Sequence, residues 1–463
     1  MHEYSEKPAF NQLTDIAGKK ITVMGLGLNG GGEAVVRFFL KHGAIVTVTD
    51  MKTKDELKAT IDKLENDKSI NTENLYYVLG EHRIEDFQNA DCVIKNPGVK
   101  YEGNKYLSQA KCIETDLSLF LHFSKAPVIA VTGSKGKSST VSAIHYALKK
   151  LGYNAFLGGN ITVSPLSFLE KTDSTTPVVL ELSSWQLSDL CGRKLLKPKV
   201  SVITLIVPDH QNWYHSMEKY VADKKLIYAE QNENDYTLCN ADDDWGKIFA
   251  CETKAKVIFY DDKNLPENLK VPGKHMQQNV KTAALAVSAF SENKFSYDDV
   301  ISVLKDFPGI EHRLEFFYEW KCKDISYSFY NDSAATVPEA ASAALDAFSS
   351  PIHLRTGCTD KLCDFLPLAQ KLTKAESVRS LKGSGTDNLN KILAEHKKEI
   401  PQSFDSLESL LNDLKNQFEK NATKKEEKNQ IVLFSPGATS LGMFKNEFDR
   451  GNKFKASVKN IFI

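Results

Sequence analysis

Short apolar runs of strand length recur along the chain, each followed by glycine or small polar residues and then by a stretch with helical spacing. Residues 20–24 predict a buried strand, 33–42 a helix, and 44–49 a second strand that ends at Asp50. Residues 92–99 read as a strand closing on Asn96-Pro97-Gly98, a sharp turn, and 114–124 as a helix leading onward. Another strand is expected at 126–130, a helix at 141–151, and buried strands at 177–182 and 202–207. A long alanine-rich helix follows over 280–289. Beyond the linker signal Phe307-Pro308-Gly309, strands are expected at 328–331, 352–357 and 430–434. Helices are expected at 338–348 and at the end, and the lysine- and glutamate-rich run 408–429 reads as a solvated helix and loop. Strands alternating with helices in this way argue for mostly parallel sheets covered on both faces. At 463 residues the chain is too long for one core, and it divides into 1–115, 116–308 and 309–463.

Charge changes little in this picture. Lysine plus arginine number 59 against 60 acidic residues, so no basic field points to nucleic acid. The eight cysteines lie scattered without a C-x-x-C pair, as expected of reduced thiols in the cytoplasm rather than a disulfide framework or a zinc site. The opening residues are polar and no apolar run approaches the length of a membrane span. A cytoplasmic protein with no membrane and no nucleic-acid partner is expected.

Candidate chemistry centres on Gly133-Ser134-Lys135-Gly136-Lys137-Ser138-Ser139, between the strand at 126–130 and the next helix. A glycine turn at a helix start aims backbone N–H groups at phosphate oxygens, the lysine adds a point charge, and a hydroxyl can ligate Mg²⁺. The bland alternative is a glycine turn that merely begins a helix. Glu181 ends an apolar strand, where a buried carboxylate needs a cation or donors; beside a phosphate loop the natural cation is Mg²⁺. His210 follows the strand at 202–207, Tyr220 and Lys224 lie one helical turn apart, and His275 and Asn279 stand near a helix start where adenine or ribose could dock. Arg313, just past the linker, could reach a phosphate or remain a solvated linker residue.

The first domain carries Gly25-x-Gly27-x-x-Gly30 between a strand and a helix, with Asp50 about twenty residues on, the dinucleotide fingerprint. Taken alone it predicts a Rossmann-like domain binding NAD. At the other end, strands finishing in Asp, Ser, Thr and Lys suggest a second Rossmann-like sheet with a binding rim at its carboxyl edge.

In order along the chain, G-x-G-x-x-G, G-S-x-G-K-S, Glu181-Leu-Ser-Ser-Trp-Gln-Leu187, Asp209-His210, Y-x-x-x-K, H-x-x-x-N, H-R-x-E, Asn331-Asp332-Ser333, Asp360-Lys361 and Ser435-Pro-Gly-Ala-Thr-Ser-Leu441 span nearly the whole sequence. The set resembles the Mur ligases of peptidoglycan synthesis. The E-L-S-S-W-Q-L stretch, and the S-P-G-A-T-S-L stretch with Arg450-Gly451, make it most similar to the D-glutamate-adding members. The resemblance implies an α/β chain of three domains: a Rossmann-like domain for a UDP-sugar, a central P-loop ATPase-type domain with a mostly parallel sheet, and a Rossmann-like domain for the amino acid. It implies an ATP-dependent, ADP-forming ligase that joins D-glutamate to UDP-N-acetylmuramoyl-L-alanine through an acyl phosphate, acting as a monomer. The first-domain turn would then hold uridine diphosphate rather than NAD, with Leu28, Asn29, Asp50, Met51 and Lys52 beside it. Residues Gly133 to Ser139 would hold ATP phosphates. Ser138, Ser139, Glu181, His210 and a carbamylated Lys224 would hold a pair of Mg²⁺ ions. Asn160 corresponds to a substrate-side asparagine; Asn279, Arg313 and Asp332 correspond to ATP-side positions. Thr336, Lys361, Ser440, Leu441 and Phe448 would face the incoming amino acid. Lys137, His210, Lys224 and Arg313 carry the expected catalytic roles.

The chain departs from the family pattern at several points. Lys135 replaces an asparagine and Ser139 a threonine, Met276 and Ala334 stand where asparagine and lysine are usual, and Thr162 and Thr356 replace glycines. The competing readings are a sibling ligase for another amino acid, an NAD-dependent oxidoreductase, and a nucleotide-binding regulator without catalysis.

Overall fold

Buried apolar strands and the helices between them assemble three sheets in the computed structural model, which describes residues 2–28, 30–161, 163–360, 363–421 and 429–463. The first sheet is parallel throughout, in the order Leu75–Leu79, Ile45–Asp50, Lys20–Met24, Cys92–Lys95, Ile113–Glu114. The second is also parallel: Lys256–Tyr260, Tyr236–Asn240, Val200–Ile203, Val128–Thr132, Val178–Glu181, Phe156–Gly159. The third runs Glu315–Cys322, Ile325–Asn331, Asn429–Phe434, Ile352–Gly357, Ala375–Leu381, Gln402–Phe404, with only the first of these antiparallel to its neighbour. Central strands such as Val128–Thr132 and Val178–Glu181 are buried at every position, as parallel strands covered on both faces must be.

Strand order reverses beside Lys20–Met24 in the first sheet and beside Val128–Thr132 in the second, and in an open α/β sheet the crevice beyond such a point takes ligands. The helices that follow are started by local chemistry. Thr53, Thr115 and Ser183 each accept the N3 backbone N–H while the N3 side chain returns to the cap, which satisfies donors a helix start leaves open.

The chain forms two compact units, residues 1–263 with 279–303, and residues 264–278 with 304–463. In the first unit, the first and second sheets share one hydrophobic core. Helix Asp116–Phe123 joins them, its Phe120 meeting Phe168 edge to face with ring centroids 5.6 Å apart. Two buried ion pairs also bridge the sheets, Lys95 to Asp189 at 2.8 Å and Arg193 to Glu114 at 2.7 Å. In the second unit, helix Leu407–Asn421 corrects the expectation of a solvated segment at 408–429. Leu407, Leu410, Leu411, Leu414 and Phe418 fall at helical spacing and are buried against the third sheet, leaving lysine and glutamate on the outer face. Residues 422–428 lie outside the described residues. Among the described residues, no helix is long and apolar enough to cross a membrane.

The first glycine-rich turn fits its helix only because Gly32 lacks a side chain. A Cβ there would lie 2.3 Å from the Leu26 carbonyl oxygen and 2.6 Å from that of Gly25. Both obstacles are backbone, so Gly32→Ala is expected to cost on the order of 2–4 kcal/mol, measured as a lowered denaturation midpoint. A midpoint equal to that of the unaltered chain would contradict this packing.

Candidate active site

Strand Val128–Thr132 delivers the chain into the loop at 133–136, and helix Lys137–Lys150 leaves it. The helix begins four residues before its expected start, so Ser138 and Ser139 occupy its first turn, half-buried. Gly133 has φ 142°, and a Cβ on it would lie 1.9 Å from Thr204 Oγ1. The loop is pinned from the neighbouring strand end: Ser134 N donates to the Leu205 carbonyl at 2.8 Å, and Ser134 Oγ to that of Val207 at 2.8 Å. The Tyr220 hydroxyl lies 3.0 Å from Ser134 Oγ. Asn279 stands on the other side, its Oδ1 2.7 Å from where a Gly136 Cβ would be.

Two lysines converge on this loop. Lys137 Nζ donates to the carbonyls of Gly133 at 2.9 Å and Ser134 at 3.1 Å. Lys224, on helix Met217–Lys225, donates to the same Gly133 carbonyl at 2.8 Å and sits 4.5 Å from the Tyr220 ring centre, so the expected one-turn pairing of 220 and 224 is present. Burial, and then the charge of Lys137, push the Lys224 amine down to about 7. Burial also lowers Lys137, while Glu181 and Asp209 oppose the shift at both lysines.

Glu181 is buried at the end of its strand. Its Oε1 accepts from Asn160 Nδ2 at 3.0 Å, whereas Oε2 is buried with no hydrogen-bond partner among the described residues. An orphaned carboxylate oxygen costs about 1–3 kcal/mol or more, and a hard cation with oxygen ligands is the partner its chemistry fits. Mg²⁺ is therefore compatible with the residues present. His210, with φ 51°, keeps its ring 4.8 Å from that of Trp185 and remains exposed. Thr204 carries no signal in the sequence, and Asp209 is marked there only as part of its pair with His210. Each acts on the loop from about seventy residues away along the chain, and an adjacent Asp-His pair was the only available signal.

At the rim of the first sheet, Asp50 Oδ2 accepts from Gly27 N at 3.1 Å and Oδ1 from Lys52 N at 2.9 Å, so the fingerprint acid ties the two turns together. Leu28 and Met51 stand 58% and 63% exposed there, apolar side chains suited to a planar base. Lys52 is exposed beside them, and Asn29 and Thr162 lie outside the described residues.

In the second unit, Asp332 Oδ1 accepts from Leu314 N at 3.1 Å and Oδ2 from Ser435 Oγ at 2.6 Å, while burial raises its carboxyl to about 7. Arg313 is exposed, Thr336 half-buried, Ser440 buried, and Leu441 and Phe448 exposed; Lys361 lies outside the described residues. Arg450, fully buried, explains its place in the motif. Its guanidinium donates to Ser333 Oγ, the Ser333 carbonyl and the Ala438 carbonyl at 2.8–3.0 Å, locking the Asn331-Asp332-Ser333 turn to the Ser435–Leu441 turn. Gly451 lets His312 approach, since a Cβ there would be 2.2 Å from its Nδ1. Thr356, in place of a glycine, donates to the Pro436 carbonyl at 2.8 Å.

The depressed Lys224 amine has a consequence for stability. Between about pH 7 and pH 10.5 the unfolded chain holds this proton and the folded chain sheds it, so the contribution of Lys224 to stability rises with pH across that window. Denaturant unfolding of the unaltered chain and of Lys224→Met, compared at about pH 7 and about pH 9.5, is expected to favour the unaltered chain more at the higher pH. A difference independent of pH would contradict the buried amine.

Comparison with known proteins agrees with this arrangement. A family model described as Mur ligase MurD-like, N-terminal domain, matches residues 19–115, and one described as Mur ligase middle domain matches residues 131–296. A UDP-N-acetylmuramoylalanine--D-glutamate ligase of Treponema pallidum (strain Nichols) is 41% identical, the alignment covering 96% of this chain and 98% of that protein. A protein of the same name from Borreliella burgdorferi (strain ZS7) is 39% identical, covering 97% and 99%. Among solved structures, the UDP-N-acetylmuramate-alanine ligase MurC of Thermotoga maritima shares the fold with a TM-score of 0.55 at 19% identity, over 96% of this chain and 99% of that one. MurF of Acinetobacter baumannii does so with 0.52 at 16%, over 82% and 92%. On its phosphate loop, its rim residues and these full-length relatives, the chain belongs to the Mur ligase family.

Proposed function

We propose that the chain joins D-glutamate to the free carboxylate of UDP-N-acetylmuramoyl-L-alanine, with ATP converted to ADP and phosphate, as a step in cytoplasmic peptidoglycan precursor synthesis. The observation that carries the reading is the convergence of Lys137 and Lys224 on the Gly133 carbonyl, beside the buried, half-satisfied carboxylate of Glu181. The full-length relatives support the choice of substrates. We take 1–115 as the UDP-sugar domain, 116–308 as the ATP domain and 309–463 as the amino-acid domain. Leu28, Asn29, Asp50, Met51 and Lys52 would receive the uridine diphosphate. Thr336, Lys361, Ser440, Leu441 and Phe448 would receive the amino acid.

In the first step a substrate carboxylate oxygen attacks the γ-phosphorus of ATP and ADP departs. Two anions approach each other, so the loop N–H groups and the Lys137 ammonium are needed to offset their repulsion, and Arg313 and Asn279 to orient the nucleotide. Bound Mg²⁺ would neutralise phosphate oxygens, held by Ser138, Ser139 and Glu181 for one ion and by His210 and Lys224 for the other. The acyl phosphate then exposes an activated carbonyl carbon, which the D-glutamate amine attacks; the tetrahedral adduct collapses to the amide with loss of phosphate. Asn160, bonded to Glu181, would orient the substrate arm, and Asp332, through Leu314 N, would hold the segment carrying Arg313. Lys224 suits carbamylation because an amine titrating at about 7 is largely unprotonated at cytoplasmic pH and can add to CO₂. The carbamate would supply an anionic oxygen ligand.

ADP release with UDP-N-acetylmuramoyl-L-alanine across a panel of D- and L-amino acids tests the whole reading; D-glutamate is expected to be preferred, and turnover with another amino acid alone would point to a sibling activity. Lys137→Ala is expected to lose at least about a hundredfold in kcat, the scale of one charge-stabilising donor. Lys224→Ala is expected to lose activity and regain part of it with added short carboxylic acids. An active Lys224→Ala enzyme indifferent to such acids would remove the carbamate.

A further inference from the structure

The cavity beside the proposed reaction centre has one wall, made by His2 and Tyr4, that neither the motifs nor the mechanism uses. It encloses about 430 Å³, and its lining includes Trp185, Trp213 and Tyr101 together with Lys100 and Lys219. Trp185 is the residue whose ring faces His210, and Tyr214 and Asp223, also in the lining, are hydrogen-bonded at 2.7 Å one residue before Lys224. Aromatic faces suit a sugar ring and ammonium groups suit a carboxylate, so the cavity matches the acid-bearing, N-acetylated sugar arm of the proposed nucleotide substrate.

His2 and Tyr4 close this cavity, and they are held there. Tyr4 N donates to the Cys191 carbonyl at 2.9 Å, and Tyr4 OH donates to Asp189 Oδ1 at 3.2 Å. The Arg193 guanidinium lies 4.5 Å over the Tyr4 ring. Gly192 admits this approach, because a Cβ there would be 2.6 Å from the Tyr4 carbonyl oxygen. His2 stacks on Tyr101 with ring centroids 3.5 Å apart, and Ala9 N donates to Glu114 Oε1 at 3.2 Å. Tyr4 thus touches a member of each buried ion pair that joins the first and second sheets, Asp189 of one and Arg193 of the other. Phe10 anchors the segment in the core against Phe39, whereas His2 and Tyr4 line the hollow instead of packing into that core.

We propose that residues 2–10 form a strap whose Tyr4 and His2 position the sugar–peptide arm of the UDP-linked substrate, Tyr4 through the wall it builds with Asp189 and Arg193. This rests on the proposed ligase reading. It assigns Tyr4 to substrate positioning, with no part in phosphoryl transfer. Steady-state kinetics of the full-length chain separate the two roles. Tyr4→Ala is expected to raise KM for UDP-N-acetylmuramoyl-L-alanine about tenfold, equivalent to roughly 1.4 kcal/mol, with kcat and KM for ATP within about twofold. Tyr4→Phe keeps the ring over Arg193 and loses only the bond to Asp189, so a rise of about threefold is expected. His2→Ala, which removes no hydrogen bond among the described residues, is expected to raise the same KM about threefold and leave the melting temperature unchanged. If Tyr4→Ala fails to fold, Tyr4→Phe and His2→Ala decide the matter. Unchanged KM for the nucleotide sugar in those two variants, or an equal rise for all three substrates, overturns the strap's role while leaving the ligase reading intact. No turnover by the unaltered chain overturns both.

Discussion

One carbonyl oxygen, that of Gly133, accepts from two ammonium groups, and the chemistry of the molecule is arranged about that contact. Two unit charges about 4 Å apart repel by about 4 kcal/mol even at an effective dielectric near 20. The fold sustains the pair in three ways. The loop conformation at Gly133 turns its carbonyl toward both lysines, which a side chain there would prevent by striking Thr204. Glu181 and Asp209 supply opposing charge. Lys224, the more deeply buried amine, relinquishes its proton near neutrality. A polyphosphate entering the loop therefore meets Lys137 already held at its edge, and has to draw that amine away from the Gly133 and Ser134 carbonyls.

The strands were legible because their physics is local. Apolar runs mark a strand buried on both faces, or a short piece of buried helix, but not its ends: the strand expected at 126–130 lies at Val128–Thr132, and the one expected at 202–207, a run interrupted by Thr204, lies at Val200–Ile203. The phosphate loop was legible for the same reason, since its glycines and lysine are contiguous. Helix Leu407–Asn421 was misjudged because composition outweighed spacing: its lysines and glutamates are numerous, but its leucines fall on one stripe. Edge strand Glu315–Cys322 had no clear signature, being only half-buried. Residues acting from afar were illegible in principle, as with Thr204 behind Gly133. The first-domain fingerprint shows a different limit. Its glycines and Asp50 answer to a pyrophosphate and a close helix start whatever nucleoside is attached, so local physics pointed to NAD and only the family resemblance pointed to uridine diphosphate.

In the second unit, the turns proposed to receive the amino acid are built on a different principle from the phosphate loop. There the side chains named by motif do not gather around one atom; they lie on two turns joined from behind by the Arg450 guanidinium. Asp332 contributes in the same way, holding Ser435 and the backbone at Leu314 with its two oxygens. The acid and base of the Asn331-Asp332-Ser333 and Arg450-Gly451 motifs are therefore structural fasteners for a rim whose exposed members, Leu441 and Phe448, are apolar. A rim fixed from beneath keeps its shape while its upper surface stays open.

The pairs Lys95–Asp189 and Arg193–Glu114 carry a further implication for the joint between the first two sheets. Apolar faces slide past one another at modest cost, because one methyl contact replaces another. Charges removed from water do not, since an offset of one strand residue, about 3.3 Å, would strand four ions without partners. The two pairs act as dowels, and the distance from the first-sheet rim at Asp50 to the phosphate loop is set by their register rather than by the oilier surface around them.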